Sequence, residues 1–147
     1  MAFSGNYMCT SFKTELLKGV HNFTAASNVF KLALYTNSAS FNADTTGYTA
    51  TNEINGTNYT AGGNAITTVT PTSSSTTAFV DANDVVFSNV TISLVRGALF
   101  YNNAPVSGGG TPSVAVLDFG SDKAASAGDF TVVMPTNNAS NAIIRIA

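Results

Sequence analysis

The chain has 147 residues, of which 10% are charged and 44% hydrophobic, and its formal net charge is -2. Ordinary soluble domains are about 25% charged, so few groups here keep the surface hydrated and repel other copies. The polar residues are instead mainly Thr, Asn, Ser and Gly. This composition suits a protein fixed in an assembly, and the length predicts one domain over residues 1–147.

Charge and hydropathy argue against nucleic acid and against a membrane as partners. The cations are scattered along the chain, at Lys13, Lys18, Lys31, Arg96, Lys123 and Arg145. This spacing predicts no basic patch for nucleic acid. No segment approaches the roughly 20 apolar residues that span a bilayer, and the N-terminal residues lack the basic region of a signal peptide. We therefore expect no membrane partner and synthesis in a host cytoplasm.

One short helix is predicted near the N-terminus, over about residues 11–19. Thr10-Ser11 offers an N-cap, and Gly19 is a plausible stop. Three apolar residues spaced four apart share one face, and they are Phe12, Leu16 and Val20. A helix of about two turns is too short to be stable alone in water, so this face must lie against the sheet or a neighbouring subunit.

The rest of the chain predicts an all-β fold. Alternating apolar residues and turn-forming clusters indicate about eight short strands, and they are 29–35, 65–70, 77–81, 85–88, 91–102, 113–119, 129–134 and 142–146. Gly97 lies inside the longest of them and predicts a bulge or a close backbone approach. Short strands at regular spacing favour an antiparallel β-sandwich, with the jelly roll as a candidate form of it.

Residues 37–63 show no clear periodicity, which is unusual for so long a stretch in a compact domain. They form either a structured loop anchored by isolated aromatics, among them Phe41, Tyr48 and Tyr59, or an arm that reaches a neighbour. Strands such as 114–117 are apolar on both faces. Either a central position in a two-layer core or coverage by the helix, the loop or another subunit explains this pattern equally well.

The titratable residues form no catalytic or metal-binding pattern. His21 is the only histidine, and after a helix stop it is predicted to cap or lie at the surface rather than to act in a triad. Cys9 is predicted to be a small buried hydrophobe, with a free thiol or an intermolecular bridge as alternatives. We expect no enzyme activity, no metal, no cofactor and no small-molecule substrate.

Three local motifs are better explained as turns. Residues 81–84, Asp-Ala-Asn-Asp, lack the Gly and Glu of a calcium loop, and their side chains are predicted to bond their own backbone. Residues 107–111 lack the Lys-Ser/Thr of a phosphate loop and predict a hairpin connection. Asp118, Asp122, Lys123 and Asp129 are predicted to surround a solvated turn.

Arg96 and Arg145 lie within apolar strands, where a charge is costly unless it is paired. We expect at least one of them to form an ion pair with a carboxylate, inside the domain or across a subunit boundary. Asp118 is one candidate partner.

The chain resembles a family of small structural proteins common in the genomes of tailed bacteriophages, including phages of cyanobacteria. The resemblance covers nearly the full length in order, and the stretches that carry it are 11–23, 30–36, 59–63, 96–102, 115–123, 129–132 and 142–146. It implies a virion structural protein on the outer capsid surface, most simply a decoration, or cement, protein. Proteins of that kind usually form homotrimers and clamp neighbouring subunits of the major capsid protein.

Two alternatives remain open beside the decoration protein. One is a tail- or fibre-associated protein that binds a receptor, in which exposed tyrosines stack on sugars. The other is a small cell-wall hydrolase, which would need paired carboxylates or a metal. For the decoration protein, the predicted contact residues are drawn from the N-terminal segment, the 37–63 loop and the two arginines. They are Phe3, Phe12, Leu16, Val20, Phe41, Tyr48, Tyr59, Arg96 and Arg145.

Overall fold

In the computed structural model, residues 3–24 and 28–147 are described. They form one helix and eight strands, all paired antiparallel. The helix is α1 (Thr10–Leu17), and the strands are β1 (Tyr7–Met8), β2 (Phe30–Tyr35), β3 (Asn64–Ala65), β4 (Thr72–Ser74), β5 (Thr77–Val80), β6 (Val85–Asn102), β7 (Ser113–Val132) and β8 (Ile144–Ile146). The predicted all-β class is confirmed.

The strands form two sheets that share one core. Five strands pair in the order β1-β7-β6-β2-β3, and three pair in the order β4-β5-β8. Val80 and Ile144 of the smaller sheet belong to the same buried cluster as Leu34, Leu99 and Val116 of the larger one. The arrangement is therefore sandwich-like, while the jelly-roll form stays a prediction.

β6 and β7 form one long hairpin where four separate strands were predicted. Their pairing runs from Tyr101 opposite Ser113 to Val85 opposite Val132, with several register shifts between. The predicted separation of strand 85–88 from strand 91–102 and the predicted turn between strands 113–119 and 129–134 are wrong, because the extra residues are absorbed as irregularities inside paired strands. Residues 103–112 connect the two strands, so the predicted hairpin connection at 107–111 is confirmed.

Gly97 lies at one of these register shifts and confirms the predicted close approach. A Cβ atom there would collide with the carbonyl oxygen of Leu117 and with the ring of Phe3. The N-terminal segment can therefore cross the sheet at this point only because β6 has no side chain there.

The predicted strand 65–70 is mostly absent. Only Asn64–Ala65 pairs with β2. Beyond it, the Val69 amide donates to Asp81 O at 2.8 Å, and the Asn83 amide donates to Thr67 O at 2.9 Å. The chain therefore leaves the larger sheet and bonds to the segment that follows β5.

Helix α1 differs from its prediction at the N-terminus. Cys9 is the N-cap and makes no side-chain capping bond, and Thr10 lies within the helix. The predicted Thr10-Ser11 cap is therefore wrong. Gly19 has φ +68, a conformation that glycine adopts without strain, and it follows the last helical turn as predicted.

Strand β2 is buried on both faces because the chain covers itself. Its residues Leu32 to Tyr35 are 0% exposed. The 37–63 loop lies along the part of its edge that β3 leaves unpaired, where the Ile54 amide donates to Leu34 O at 2.9 Å, and the Tyr35 hydroxyl donates to Thr49 O of the same loop at 2.6 Å. Another subunit is thus not needed to explain the burial of β2. No helix among the described residues is long and apolar enough to cross a membrane.

Candidate binding surfaces

Four of the predicted contact residues lie in the core. Their exposed fractions are 9% or less, and they are Phe3, Phe12, Val20 and Phe41. A buried side chain cannot contact a partner while the domain stays folded, so these predictions are corrected. Phe3 and Phe41 instead pack edge to face at 5.8 Å between ring centroids, which joins the N-terminal segment to the 37–63 loop.

The 37–63 loop is held on the domain by a carboxylate inside it. Glu53 accepts hydrogen bonds from the hydroxyls of Tyr48 and Tyr59 and from the Gly62 amide, each at 2.7 Å. Tyr59 also accepts a bond from the Leu34 amide at 2.9 Å. The loop is therefore structured and anchored by its aromatics, and the alternative of a free arm is wrong. Tyr48 and Tyr59 contribute to folding through these bonds.

Burial makes the phenols of this tyrosine cluster weaker acids than usual. Burial, with the nearby Glu53 carboxylate, raises the pKa of Tyr101 to about 12. The pKa of Tyr35, Tyr48 and Tyr59 is raised as well, first by burial. The phenols are neutral donors, as the bond from Tyr35 to Thr49 O at 2.6 Å requires.

The predicted ion pair between an arginine and a carboxylate is confirmed for Arg96. Its Nε donates to Asp118 Oδ1 at 2.9 Å, with the two side chains 22% and 11% exposed. The guanidinium lowers the pKa of the Asp118 carboxyl. Arg145 instead donates from Nη1 to Ser140 O at 2.6 Å. Asp118 therefore lies within β7 and forms an ion pair with β6, not a solvated turn.

His21 is buried, which corrects its predicted capping or surface role. It is 7% exposed, and its Nε2 lies 2.8 Å from Glu15 Oε2. Its Nδ1 lies 3.1 Å from Nδ2 of Asn102, which is 0% exposed. His21 therefore ties α1 to the end of β6.

Two other titratable groups lie inside the fold. Cys9 is buried as predicted, and burial raises the pKa of its thiol. Asp81 is 1% exposed and accepts a bond from the Ala82 amide at 2.8 Å, which agrees with the predicted turn. Burial raises the pKa of the Asp81 carboxyl. Within residues 3–24 and 28–147, no three His, Cys, Asp or Glu side chains come close enough together to hold a metal ion.

A first candidate surface lies between α1 and β8, and we call it the basic face. Leu17 is 92% exposed and Ile146 is 55% exposed. They line an open groove with charged Lys13 and Arg145 at its rim. Leu16, the predicted contact residue in this region, is partly buried and lines the same groove.

A second candidate surface lies beside the far end of β7, and we call it the β7 face. Its hollow is lined by Phe119, Phe130 and Val133, among others, and Val133 is 74% exposed. Lys123 is the charged residue among those that line it. Asp84 lies beside the hollow, because its Oδ1 accepts a bond from the Met134 amide at 2.8 Å.

A third candidate surface is the outer side of β6, around Leu94. Leu94 has φ +58 and is 60% exposed. Its neighbours Thr91 and Ser93 are exposed and uncharged. Leucine rarely adopts this backbone conformation, and such strain costs of order 1–3 kcal/mol. The bulge therefore holds an apolar side chain outward on a neutral surface at a cost in stability.

The main exposed apolar residues, Leu17 and Leu94, are only partly indicated by the sequence. The Leu16–Leu17 pair could have indicated Leu17, because adjacent helical positions cannot both face the core. Nothing in the sequence indicates that Leu94 points outward, since its position depends on the irregular pairing of β6 with β7.

No family model, curated protein or solved structure matches the chain.

Proposed function

We propose that the chain is a structural protein of a phage virion, and that it decorates the outer capsid surface. In this role it binds the major capsid protein and stabilises neighbouring shell subunits as a homo-oligomer, most simply a homotrimer. The sequence resemblance and the charge-poor composition support this function. Binding of this kind requires a stable domain with a complementary outer surface and no reacting group.

The observation that carries the proposal is Leu94. A strained residue persists where the surrounding structure holds it, and such residues cluster at functional positions. Leu94 combines φ +58 with 60% exposure, so neither backbone preference nor burial of the side chain favours leucine there. A contact with a large, uncharged protein surface would bury this side chain. We therefore place the capsid contact on the outer side of β6.

Two substitutions separate binding from folding at this position. Leu94→Gly and Leu94→Asn both suit a positive φ, so the isolated domain should keep or gain stability. Both remove the apolar side chain and should weaken binding to capsids that lack the protein by about tenfold or more, as loss of a buried contact of about 1.5–3 kcal/mol predicts. Val86→Asn, on the same strand at 42% exposure, is the matched control and should bind more nearly like the wild type.

The location in the virion is tested by quantitative mass spectrometry of purified particles. A copy number within a few-fold of the major capsid protein is expected for a decoration protein. A much lower number, similar to that of tail components, would contradict decoration and favour the tail- or fibre-associated alternative. Unchanged capsid binding by Leu94→Gly and Leu94→Asn would show that the contact lies elsewhere.

A further inference from the structure

The 37–63 loop contains the only asparagine of the sequence that is followed by glycine, Asn55-Gly56, and the fold requires this glycine. The loop pairs with β6 immediately after it: the Thr57 amide donates to Thr91 O, and the Thr91 amide donates to Thr57 O, each at 3.1 Å. A Cβ atom on residue 56 would collide with the carbonyl oxygen of Thr91. Any other residue at this position would push the loop away from the strand.

The two groups that could react with each other at this pair are unbonded. Asn55 is exposed. Within residues 3–24 and 28–147, neither its side-chain amide nor the backbone nitrogen of Gly56 has a hydrogen-bond partner. The bonds lie on either side, from the Ile54 amide to Leu34 O at 2.9 Å and from the Tyr59 amide to Gly56 O at 3.2 Å. The Gly56 nitrogen therefore breaks no hydrogen bond when it approaches Cγ of Asn55, and glycine has no side chain to obstruct that approach.

Other asparagines of the loop lack this combination. Asn37 is followed by Ser38, whose amide donates to Thr36 Oγ1 at 3.3 Å. The backbone amide that follows Asn52 donates to Ala50 O at 3.3 Å. Both nitrogens would have to give up a bond before they could attack the preceding side chain. Asn37 and Asn52 therefore serve as internal references for the reactivity of Asn55.

We propose that Asn55 is a site of spontaneous deamidation. The Gly56 nitrogen loses its proton to hydroxide and attacks Cγ of Asn55, and Nδ2 leaves as ammonia with a proton taken from water. The new carbon–nitrogen bond closes a cyclic succinimide. Water then opens the ring. Attack at Cγ gives aspartate, and attack at the main-chain carbonyl carbon gives isoaspartate, in which the chain continues through the side chain. Overall, one water is consumed, one ammonia is released and residue 55 gains a carboxylate.

The new carboxylate lies on the surface to which the capsid contact is assigned. Asn55 lines a hollow beside β6 together with Thr91 and Ser93, and Ser93 precedes Leu94 in the chain. Every residue that lines this hollow is uncharged. Because an unpaired charge is costly to bury, deamidation should weaken the capsid contact. This consequence rests on the proposed function, whereas the reaction itself does not.

Isoaspartate has a second effect, which acts on the fold. It adds one atom to the backbone between Ile54 and Thr57, whose amides are bonded to Leu34 of β2 and Thr91 of β6. The lengthened segment cannot keep both sets of bonds at their present positions. The isoaspartate form should therefore melt at a lower temperature than the aspartate form.

The reaction is tested on the isolated wild-type domain, kept folded at about 37 °C and either pH 6 or pH 8.5. Peptide mapping by mass spectrometry should find aspartate and isoaspartate at residue 55, and both should form faster at pH 8.5 because hydroxide removes the amide proton. Asn37 and Asn52 should remain amides over the same period. Asn55→Gln is the matched control, because its longer side chain would have to close a larger ring. Conversion at residue 55 no faster than at residues 37 and 52 would overturn the proposal.

The effect on binding is tested with variants that need no incubation. Asn55→Asp reproduces the aspartate product. It should fold like the wild type and bind capsids that lack the protein about tenfold more weakly or less, as the cost of an unpaired buried group predicts. Ser107→Asp adds the same charge at an exposed position in the connection between β6 and β7, which does not line the hollow. It should bind like the wild type, and so should Asn55→Gln.

The outcomes separate this inference from the proposed function. Conversion at residue 55 with full capsid binding by Asn55→Asp would establish the modification and refute its effect on the contact. Full capsid binding by Leu94→Gly would refute the Leu94 contact, and peptide mapping of the isolated domain would still decide whether Asn55 is the reactive site.

Discussion

The amide nitrogen Nδ2 of Asn102 donates to Nδ1 of His21 at 3.1 Å, and this bond determines which ring nitrogen carries the proton. Asn102 cannot turn its amide around, because its Oδ1 accepts a bond from the Ala104 amide at 3.1 Å. Its Nδ2 also donates to Oδ1 of Asn28 at 2.7 Å. Nδ1 of His21 must therefore accept, and Nε2–H donates to Glu15.

The first prediction is that neutral His21 is the Nε2–H tautomer. Long-range ¹H–¹⁵N NMR at pH 8 should show a protonated Nε2 and an unprotonated Nδ1. Asn102→Leu removes the three bonds made by the amide and leaves Nδ1 of the buried His21 and the partly buried Ala104 amide without those partners. Since each such group costs about 1–3 kcal/mol, the unfolding free energy should fall by about 3 kcal/mol in denaturant titrations. A protonated Nδ1 in the wild type would contradict this network.

The second prediction concerns Glu53 and the 37–63 loop. Glu53→Ala leaves the hydroxyls of Tyr48 and Tyr59 and the Gly62 amide without their acceptor. We expect about 3 kcal/mol lower stability and faster amide hydrogen exchange across the loop. Tyr48→Phe is the matched control and removes one bond, so it should cost about 1 kcal/mol. Equal effects of both variants would show that Glu53 does not organise the loop.

The third prediction is that the fold loses stability in alkali. The pKa of Tyr101 is raised from 10.0 to about 12 and that of Tyr35 is raised further, both first by burial. The folded state therefore binds these protons more tightly than the unfolded state. Stability from this source is complete below pH 10 and is lost as the pH rises above it. The slope should be about 1.4 kcal/mol per pH unit for each of these two buried tyrosines.

Chemical denaturation between pH 8 and pH 11 measures this slope. Tyr101→Phe removes one of the tyrosines with a raised pKa and should reduce the slope above pH 10 by about 1.4 kcal/mol per pH unit. The variant also loses the bond from the Tyr101 hydroxyl to Gly62 O, which is 2.8 Å long, so it should be less stable at pH 8. A pH-independent stability up to pH 11 would contradict the burial of these phenols.

The predictable part of the fold is the part that local pattern determines. The alternation of residues 29–35 predicts β2, and the stop at Gly19 predicts the end of α1. The continuity of β7 could not be predicted, because Gly120 and the charged residues Asp118 and Asp122 resemble a turn in sequence. The positive φ of Gly120 (+75) and of Ala127 (+46) is accommodated inside the paired strand. Whether such residues end β7 or lie in an irregularity within it depends on how they pair with β6.

The candidate surfaces were predicted less well than the fold for a related reason. An apolar residue in a sequence predicts that its side chain is either buried in the core or in contact with a partner. The sequence does not indicate which of the two applies. The sequence predicts Phe12 and Phe41 as contact residues, but both are buried. It does not predict Leu17 as one, although Leu17 is 92% exposed. Only the packing of α1 and the loop on the sheet distinguishes them.

The last prediction concerns the ion pair of Arg96 and Asp118, whose atoms are 2.9 Å apart. Arg96→Met should lower the Tm at pH 7, because it leaves the partly buried Asp118 carboxylate without its cation. The guanidinium lowers the pKa of Asp118 in the folded state. Its contribution is therefore present above the ordinary aspartate pKa of about 3.9 and is lost as the pH falls through the lowered value.

The Tm difference between wild type and Arg96→Met should consequently be constant from pH 7 to about pH 5 and shrink below about pH 4. Arg145→Met is the control, because Arg145 donates to a backbone carbonyl oxygen and not to a carboxylate. Its Tm difference should not follow the titration of Asp118. A pH-independent Tm difference for Arg96→Met would mean that the arginine stabilises β6 through the packing of its carbon chain and not through its charge.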